Sequence, residues 1–286
     1  MKTIKVLAAA MMMVIAFGAT AQERNCLYNV RVNDMRYVLE EKKQNTIEKV
    51  GAVLGALAGE TNRTDNSYLT PRVSATVRDA ISHVRRLSTV NDISDAKFEI
   101  NGDITSLVTH TSVHYKERTS NDGKTTNVRV ENHDASVAIT LYLTDIITGQ
   151  QWTQSFSCNS NWYMTAGSEE EALNEVFNEL RRHIVRDYNE MFPLLANIVE
   201  AGNAKKDKQQ EVYVDLGSQY GIGKGYHFEV FELGEVAGHE TRKKIGKLKI
   251  EEVMGRDISR CKVEKGHKEI KAALDAGKTL LTVLID

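Results

Sequence analysis

Residues 168–192 limit what this chain can fold into more than any other stretch. Ser168 followed three places later by Glu171 is a capping box, so a helix starts there. Ala172, Leu173, Val176, Phe177, Leu180, Ile184, Tyr188 and Met191 then recur at three- and four-residue steps, which gathers them on one face. Glu169, Glu170 and Glu171 lie early and Arg181, Arg182 and Arg186 late, the order that suits the helix dipole. Pro193 ends the segment, because a proline disfavours helix at the residue before it. A helix with so long an apolar face needs a sheet to lie on, and the flanking sequence supplies strand patterns on both sides.

Before it, Tyr28, Val30 and Val32 alternate with polar residues as in a strand that continues less clearly through Tyr37 and Leu39. Asn45 with Glu48 opens a helical pattern ending near Gly59, and Thr70-Pro71 opens a second helix with the buried stripe Val73, Val77, Ile81, Val84 and Leu87. Arg72, Arg78, Arg85 and Arg86 could grip a phosphate or a carboxylate, weighed against a solvated face of that helix. From Phe98 to Phe156 the character is β. Asn121-Asp122-Gly123-Lys124 marks a hairpin, since Asp-Gly supplies the positive φ angles of a tight turn. Pairing outward from a two-residue turn sets Tyr115 opposite Val130 and His114 opposite Glu131. Val128 and Val130 are even-numbered, whereas Val137, Ile139, Leu141 and Leu143 are odd-numbered, so a bulge is expected at 132–135. Thr144 to Gly149 is the next turn and Trp152 to Phe156 the returning strand.

Residues 201–210 are polar and aperiodic, and read as a linker. Beyond them five short strands with glycine-bearing turns suggest a small β-barrel or sandwich, with one short helix from Lys268 to Ala276 closed by Gly277. The expected class is α+β: an N-terminal α/β sandwich with a mainly antiparallel sheet covered by helices (residues 22–200), the linker, and a small C-terminal β-barrel-like domain (residues 211–286).

The first residues carry an address. Lys2 and Lys5 precede the apolar run Val6 to Phe17 and the small residues Ala19-Thr20-Ala21, the parts of a secretory signal covering residues 1–21. The run is shorter than the roughly 20 residues of a membrane span. Cys26 follows Glu23-Arg24-Asn25, which is unsuited to lipoprotein processing. Without Lys2 and Lys5 the chain has 35 basic and 39 acidic side chains, a net charge near −4 that gives no reason to expect nucleic acid as a partner. Cys26, Cys158 and Cys261 remain; in an oxidising compartment two could pair, and the sequence does not say which.

No catalytic frame emerges, and no catalytic, cofactor-binding or metal-binding residue is assigned. His110, His114, Glu131 and His133 would share a face in the register above and resemble a zinc-ligand set, weighed against a solvated sheet face. Gly217, Gly221, Gly223 and Gly225 lead into the strand His227 to Phe231, so they read as turn residues and not as a phosphate cradle. Cys158 has no sequence-local activating partner and reads as buried or disulfide-bonded.

The order of elements carries a resemblance. The strand Phe98-Glu99-Ile100-Asn101-Gly102-Asp103-Ile104 is followed by a hairpin, then by 137–145 with Thr148-Gly149, then by the acidic-start helix with Glu171-Ala172-Leu173-Asn174. This is similar to the periplasmic α/β domain of the curli assembly and transport lipoprotein family and of the lipoprotein activators of penicillin-binding proteins. Phe192-Pro193, then 212–218 and 221–230, resemble the linker and small carboxy-terminal domain of flagellar T-ring-type proteins. The resemblance implies an envelope scaffold without enzymatic activity or cofactor. Its partner would be another envelope protein or further copies of itself, with peripheral outer-membrane association and peptidoglycan as further expectations. Pore formation is not carried over: the lipidation box is lacking, and Lys116, Glu117, Arg118, Lys124, Arg129 and Glu131 make the hairpin too polar for a lipid-facing band. The expected partner-binding hairpin comprises Lys116, Arg118, Asp122, Gly123, Lys124 and Arg129. A glycan-binding alternative rests on Tyr213, Tyr220, Tyr226 and Phe228, and a metal-dependent hydrolase on the histidines.

Overall fold

The structure is a computed structural model that describes residues 25–38, 61–63, 66–119, 122, 124–160, 166–237 and 239–285. The expected export segment, the helix expected from Asn45 to Gly59, and Gly123 lie outside the described residues. The fold is α+β and divides into two compact units: residues 28–83 with 87–185, and residues 84–86 with 186–285 and the described residues 25–27.

In the first unit β1 (Tyr28–Val32), β2 (Arg36–Tyr37) and β3 (Thr61–Arg63) precede α1 (Thr70–Ser82). Then follow β4 (Leu87–Val90), β5 (Phe98–Thr119), β6 (Thr125–Asp145), β7 (Gln151–Asn159) and α2 (Glu169–Met191). The main path of the sheet runs β4-β1-β5-β6-β7, with β2 and β3 also on β5. The β5-β6-β7 meander is antiparallel, whereas β1 and β2 lie parallel to β5.

Both helices lie on one face of the sheet. The apolar stripe of α1 is buried, and the stripe read for α2 is buried from Ala172 to Met191. On the sheet, Ile100, Ile104, Leu107, Val137, Ile139, Leu141, Leu143, Trp152 and Phe156, the apolar face of the meander, are buried as well. Fully burying one such side chain contributes about 1.5–3 kcal/mol, so this layer dominates the unit's stability. The α2 cap differs in one detail from the reading. Ser168 Oγ accepts from Glu171 N at 3.1 Å, as a capping box requires, but the Glu171 carboxylate accepts from Gly167 N at 2.7 Å.

Two strand expectations are corrected. The bulge is on β5, between Ile104 and Ser106, and β6 passes through 132–135 without a shift. The extra residue moves β5 from an even-numbered buried face (Phe98, Ile100, Gly102, Ile104) to an odd-numbered one (Leu107, Thr109), while the buried positions of β6 stay odd throughout. Val128 and Val130 misled because that part of the strand has left the core, where parity no longer reports a buried face. The hairpin register also moves by one. Thr119 pairs with Thr125, so residues 120–124 connect the strands, and His114 lies opposite Val130, Tyr115 opposite Arg129 and Val113 opposite Glu131.

The second unit contains β8 (Leu195–Ala201), β9 (Ala204–Lys205), β10 (Lys208–Gln209), β11 (Glu211–Val214), β12 (His227–Val236), β13 (His239–Val253), β14 (Ser259–Lys265), α3 (His267–Asp275) and β15 (Leu280–Leu284). A closed barrel runs β11-β14-β13-β12-β15-β8 around Val212, Val214, Phe228, Val230, Leu248, Ile250, Val263 and Ile270. The boundary read from sequence is therefore displaced. The barrel needs β8 as its sixth strand, because closure alone removes both sheet edges. Residues 204–209 form a hairpin in place of a linker. Gln209 is buried there, its amide donating to the carbonyls of Gly202 and Glu211 at 3.0 and 2.7 Å.

Candidate partner-binding arm

At 22 and 21 residues, β5 and β6 are far longer than an ordinary strand of 5–6. Their inner halves belong to the core. The last lateral neighbours are β3, which pairs with β5 through Thr109 to Thr111, and Ala166, which bridges His133 of β6. Beyond these, the pairs from Ser112↔Asn132 to Thr119↔Thr125 form a ladder of two strands with no further strand on either edge among the described residues. Eight pairs at about 3.4 Å each extend roughly 27 Å. Residues 115–119 and 124–129 are exposed.

The corrected register sorts the side chains. His114, Lys116 and Arg118 share one face with Thr126, Val128 and Val130; Val113, Tyr115 and Glu117 share the other with Asn127, Arg129 and Glu131. Lys116 and Arg118 are thus brought together, while Arg129 lies on the opposite face, ion-paired with Glu131 at 2.6 Å. Asp122 and Lys124 are exposed in the connection. Tyr115 is 67% exposed, the largest apolar surface the arm offers.

The same register takes apart the expected histidine set. His110, opposite Asp134, and His114 project from one face, whereas His133 and Glu131 project from the other. His133 Nδ1 is 3.0 Å from Thr111 Oγ1, and its Nε2 is 3.8 Å from Glu131 Oε2. A metal needs convergent ligands, and among the described residues no group of three or more His, Cys, Asp or Glu could hold one. Of the barrel aromatics, Phe228 is fully buried, Tyr220 and Tyr226 are partly buried against the barrel core, and Tyr213 is half-buried on β11. The glycines before β12 lead into a strand, as read from sequence.

Two open depressions border the meander. One of about 390 Å³ at the root of the arm is lined by Val108, His110, Asp134, Ser136, Asn159 and Ser160. The other, about 410 Å³, lies on the face away from the helices and includes Asp34, Arg36, Asn101, Tyr142 and Gln151. Beside it the Asp103 carboxylate takes an ion pair from Arg36 at 2.8 Å and a hydrogen bond from the Tyr142 phenol at 3.2 Å. Burial and that carboxylate raise the Tyr142 pKa, so the phenol stays a donor at neutral pH. Sequence reading missed this group because its members come from β2, β5 and β6.

No family model matches the chain, and no curated protein does. Among solved structures, the hypothetical protein CT253 from Chlamydia trachomatis shares 10% identity over 58% of this chain and 98% of its own, with a TM-score of 0.34. A PelC dodecamer from Paraburkholderia phytofirmans shares 9% over 58% and 87%, with a TM-score of 0.24. A putative neuraminyllactose-binding hemagglutinin homolog from Helicobacter pylori shares 11% over 57% and 83%, with a TM-score of 0.26.

Proposed function

We propose that this chain is an exported, non-enzymatic protein of the cell envelope that binds another envelope protein or further copies of itself through the β5–β6 arm. The observation that carries this reading is the eight-pair ladder with both edges open among the described residues. A two-stranded ribbon standing alone is at best marginally stable in water, and adding a third strand supplies the missing backbone hydrogen bonds. Lys116 and Arg118 keep the β5 side soluble and select against pairing with a second cationic strand. Export is supported by Lys2, Lys5, the Val6 to Phe17 run and Ala19-Thr20-Ala21.

The test removes Lys116 to Arg129. The account expects capture of the partner from envelope extracts to be lost while the thermal unfolding transition stays nearly in place, because the described side chains removed, 116–119, 122 and 124–129, are exposed. Capture at the parent level after the deletion would refute the placement.

A further inference from the structure

Cys158 lies on β7, the edge strand of the first unit's sheet, on the face covered by α2, and is 3% exposed. Its Sγ stands 3.5 Å from Nδ1 of His183 on α2. Nε2 of that imidazole lies 2.8 Å from Oε1 of Glu179, one turn earlier on the same helix. A carboxylate only accepts, so in the neutral ring the proton sits on Nε2, and Nδ1 is left with a bare lone pair facing the thiol. Nucleophile, base and orienting carboxylate thus stand in sequence, as in an activated-nucleophile relay. At 3% exposure the sulfur is out of reach of a peptide or of another protein's disulfide. The imidazole beside it is 30% exposed, so any co-reactant of the sulfur must be a small one.

We propose that Cys158, His183 and Glu179 form a thiol site that reacts with small hydroperoxides. His183 Nδ1 takes the thiol proton, and Glu179 steadies the resulting imidazolium. The thiolate attacks one peroxide oxygen: the S–O bond forms as the O–O bond breaks, sulfur loses two electrons and the peroxide gains them. The imidazolium returns its proton to the departing hydroxide or alkoxide. The products are a sulfenic acid on Cys158 and water or an alcohol.

The experiment uses the mature chain with Cys26→Ser and Cys261→Ser, treated with hydrogen peroxide for a set time, cleared of peroxide with catalase and then unfolded in the presence of dimedone so that the trap reaches any sulfenic acid, and read by peptide mass. An ordinary thiol is only a few per cent ionised at pH 7, so full pairing raises the thiolate share at most about 30-fold, tempered by weaker nucleophilicity. His183→Gln is therefore expected to slow trapping at pH 7 about tenfold and to move the pH–rate midpoint upward. Glu179→Gln should fall between, since its amide oxygen still accepts from Nε2. An unchanged circular dichroism melt certifies the fold of each variant. An unmodified Cys158, a His183→Gln variant with the parent's rate and midpoint, or trapping that rises with urea in proportion to unfolding would each overturn the site.

Discussion

Gly266 and Gly277 flank the same short helix, α3, and both adopt left-handed backbone, with φ of +79° and +64°. A Cβ built on Gly277 meets nothing within 4 Å, whereas one on Gly266 would stand 1.9 Å from the Ile245 carbonyl oxygen and 2.7 Å from Gly246 Cα. An alanine at 277 therefore incurs the left-handed penalty alone, about 1–2 kcal/mol. An alanine at 266 incurs that penalty and must also push back the β13 backbone. Gly246 is itself closely approached by this segment, its Cβ position lying 2.6 Å from Ile270 Cδ1 and 2.7 Å from the Lys265 carbonyl. Overpacking of this kind adds about 1–3 kcal/mol, so Gly266→Ala should cost roughly 2–5 kcal/mol in total. For a unit of about 100 residues, each kcal/mol moves Tm by about 4–8 °C. Gly277→Ala should thus lower the barrel transition by about 4–16 °C, and Gly266→Ala by about 8 °C or more, at about twice its partner's shift. Calorimetry is the suitable assay, since Trp152 and Trp162 both fall in the sequence range of the other unit and fluorescence would miss the barrel. Equal losses for the two variants, or a loss below about 1 kcal/mol at Gly266, would refute the close-approach reasoning.

Tyr188 is fully buried, and its hydroxyl has no hydrogen-bond partner among the described residues. Tyr188→Phe removes a desolvated polar atom, so chemical denaturation should find the variant as stable as the parent or up to about 1 kcal/mol more so. Asp145 gives a pH dependence: burial alone would raise its pKa, but the N–H groups of Thr148 and Ile147, each at 2.9 Å, outweigh it and hold the carboxyl below its ordinary value. A depressed folded-state pKa contributes stability that is complete above the unfolded value near 3.9 and lost as pH falls through the folded one. Unfolding free energy measured from pH 5 down to 2 should therefore fall less steeply for Asp145→Asn than for the parent.

What the sequence disclosed depended on whether a periodicity had a buried face to report. The α2 stripe was legible in full, because every one of its positions from Ala172 to Met191 is buried. The β5 bulge was not: Gly102 carries no side chain and Thr109 is a buried polar residue, so the apolar alternation that would have shown the shift is interrupted on the strand that contains it. On the arm, Val128 and Val130 alternate in sequence but touch no core. A five-residue connection then gives a register that the Asp-Gly signal alone places one residue away. That single step separates His110 and His114 from Glu131 and His133. The sixth barrel strand was hidden for another reason. Leu195 to Ala201 begins buried and ends exposed with no polar–apolar alternation, and nothing local distinguishes a strand that closes a barrel from the end of a preceding domain. Cys158 and His183 are 25 residues apart on different elements, so only the packing of α2 on β7 brings them together.

The claim that the arm is the binding element is tested most directly by a photo-cross-linking side chain placed at Tyr115 in the otherwise unaltered protein and activated in intact envelopes. The same group placed at Ile147, which is 84% exposed in the turn between β6 and β7, serves as the comparison. The account predicts a discrete adduct, to one envelope protein or to a second copy of the chain, from position 115 and none from position 147. No adduct from position 115, or the same adducts from both positions, would contradict it.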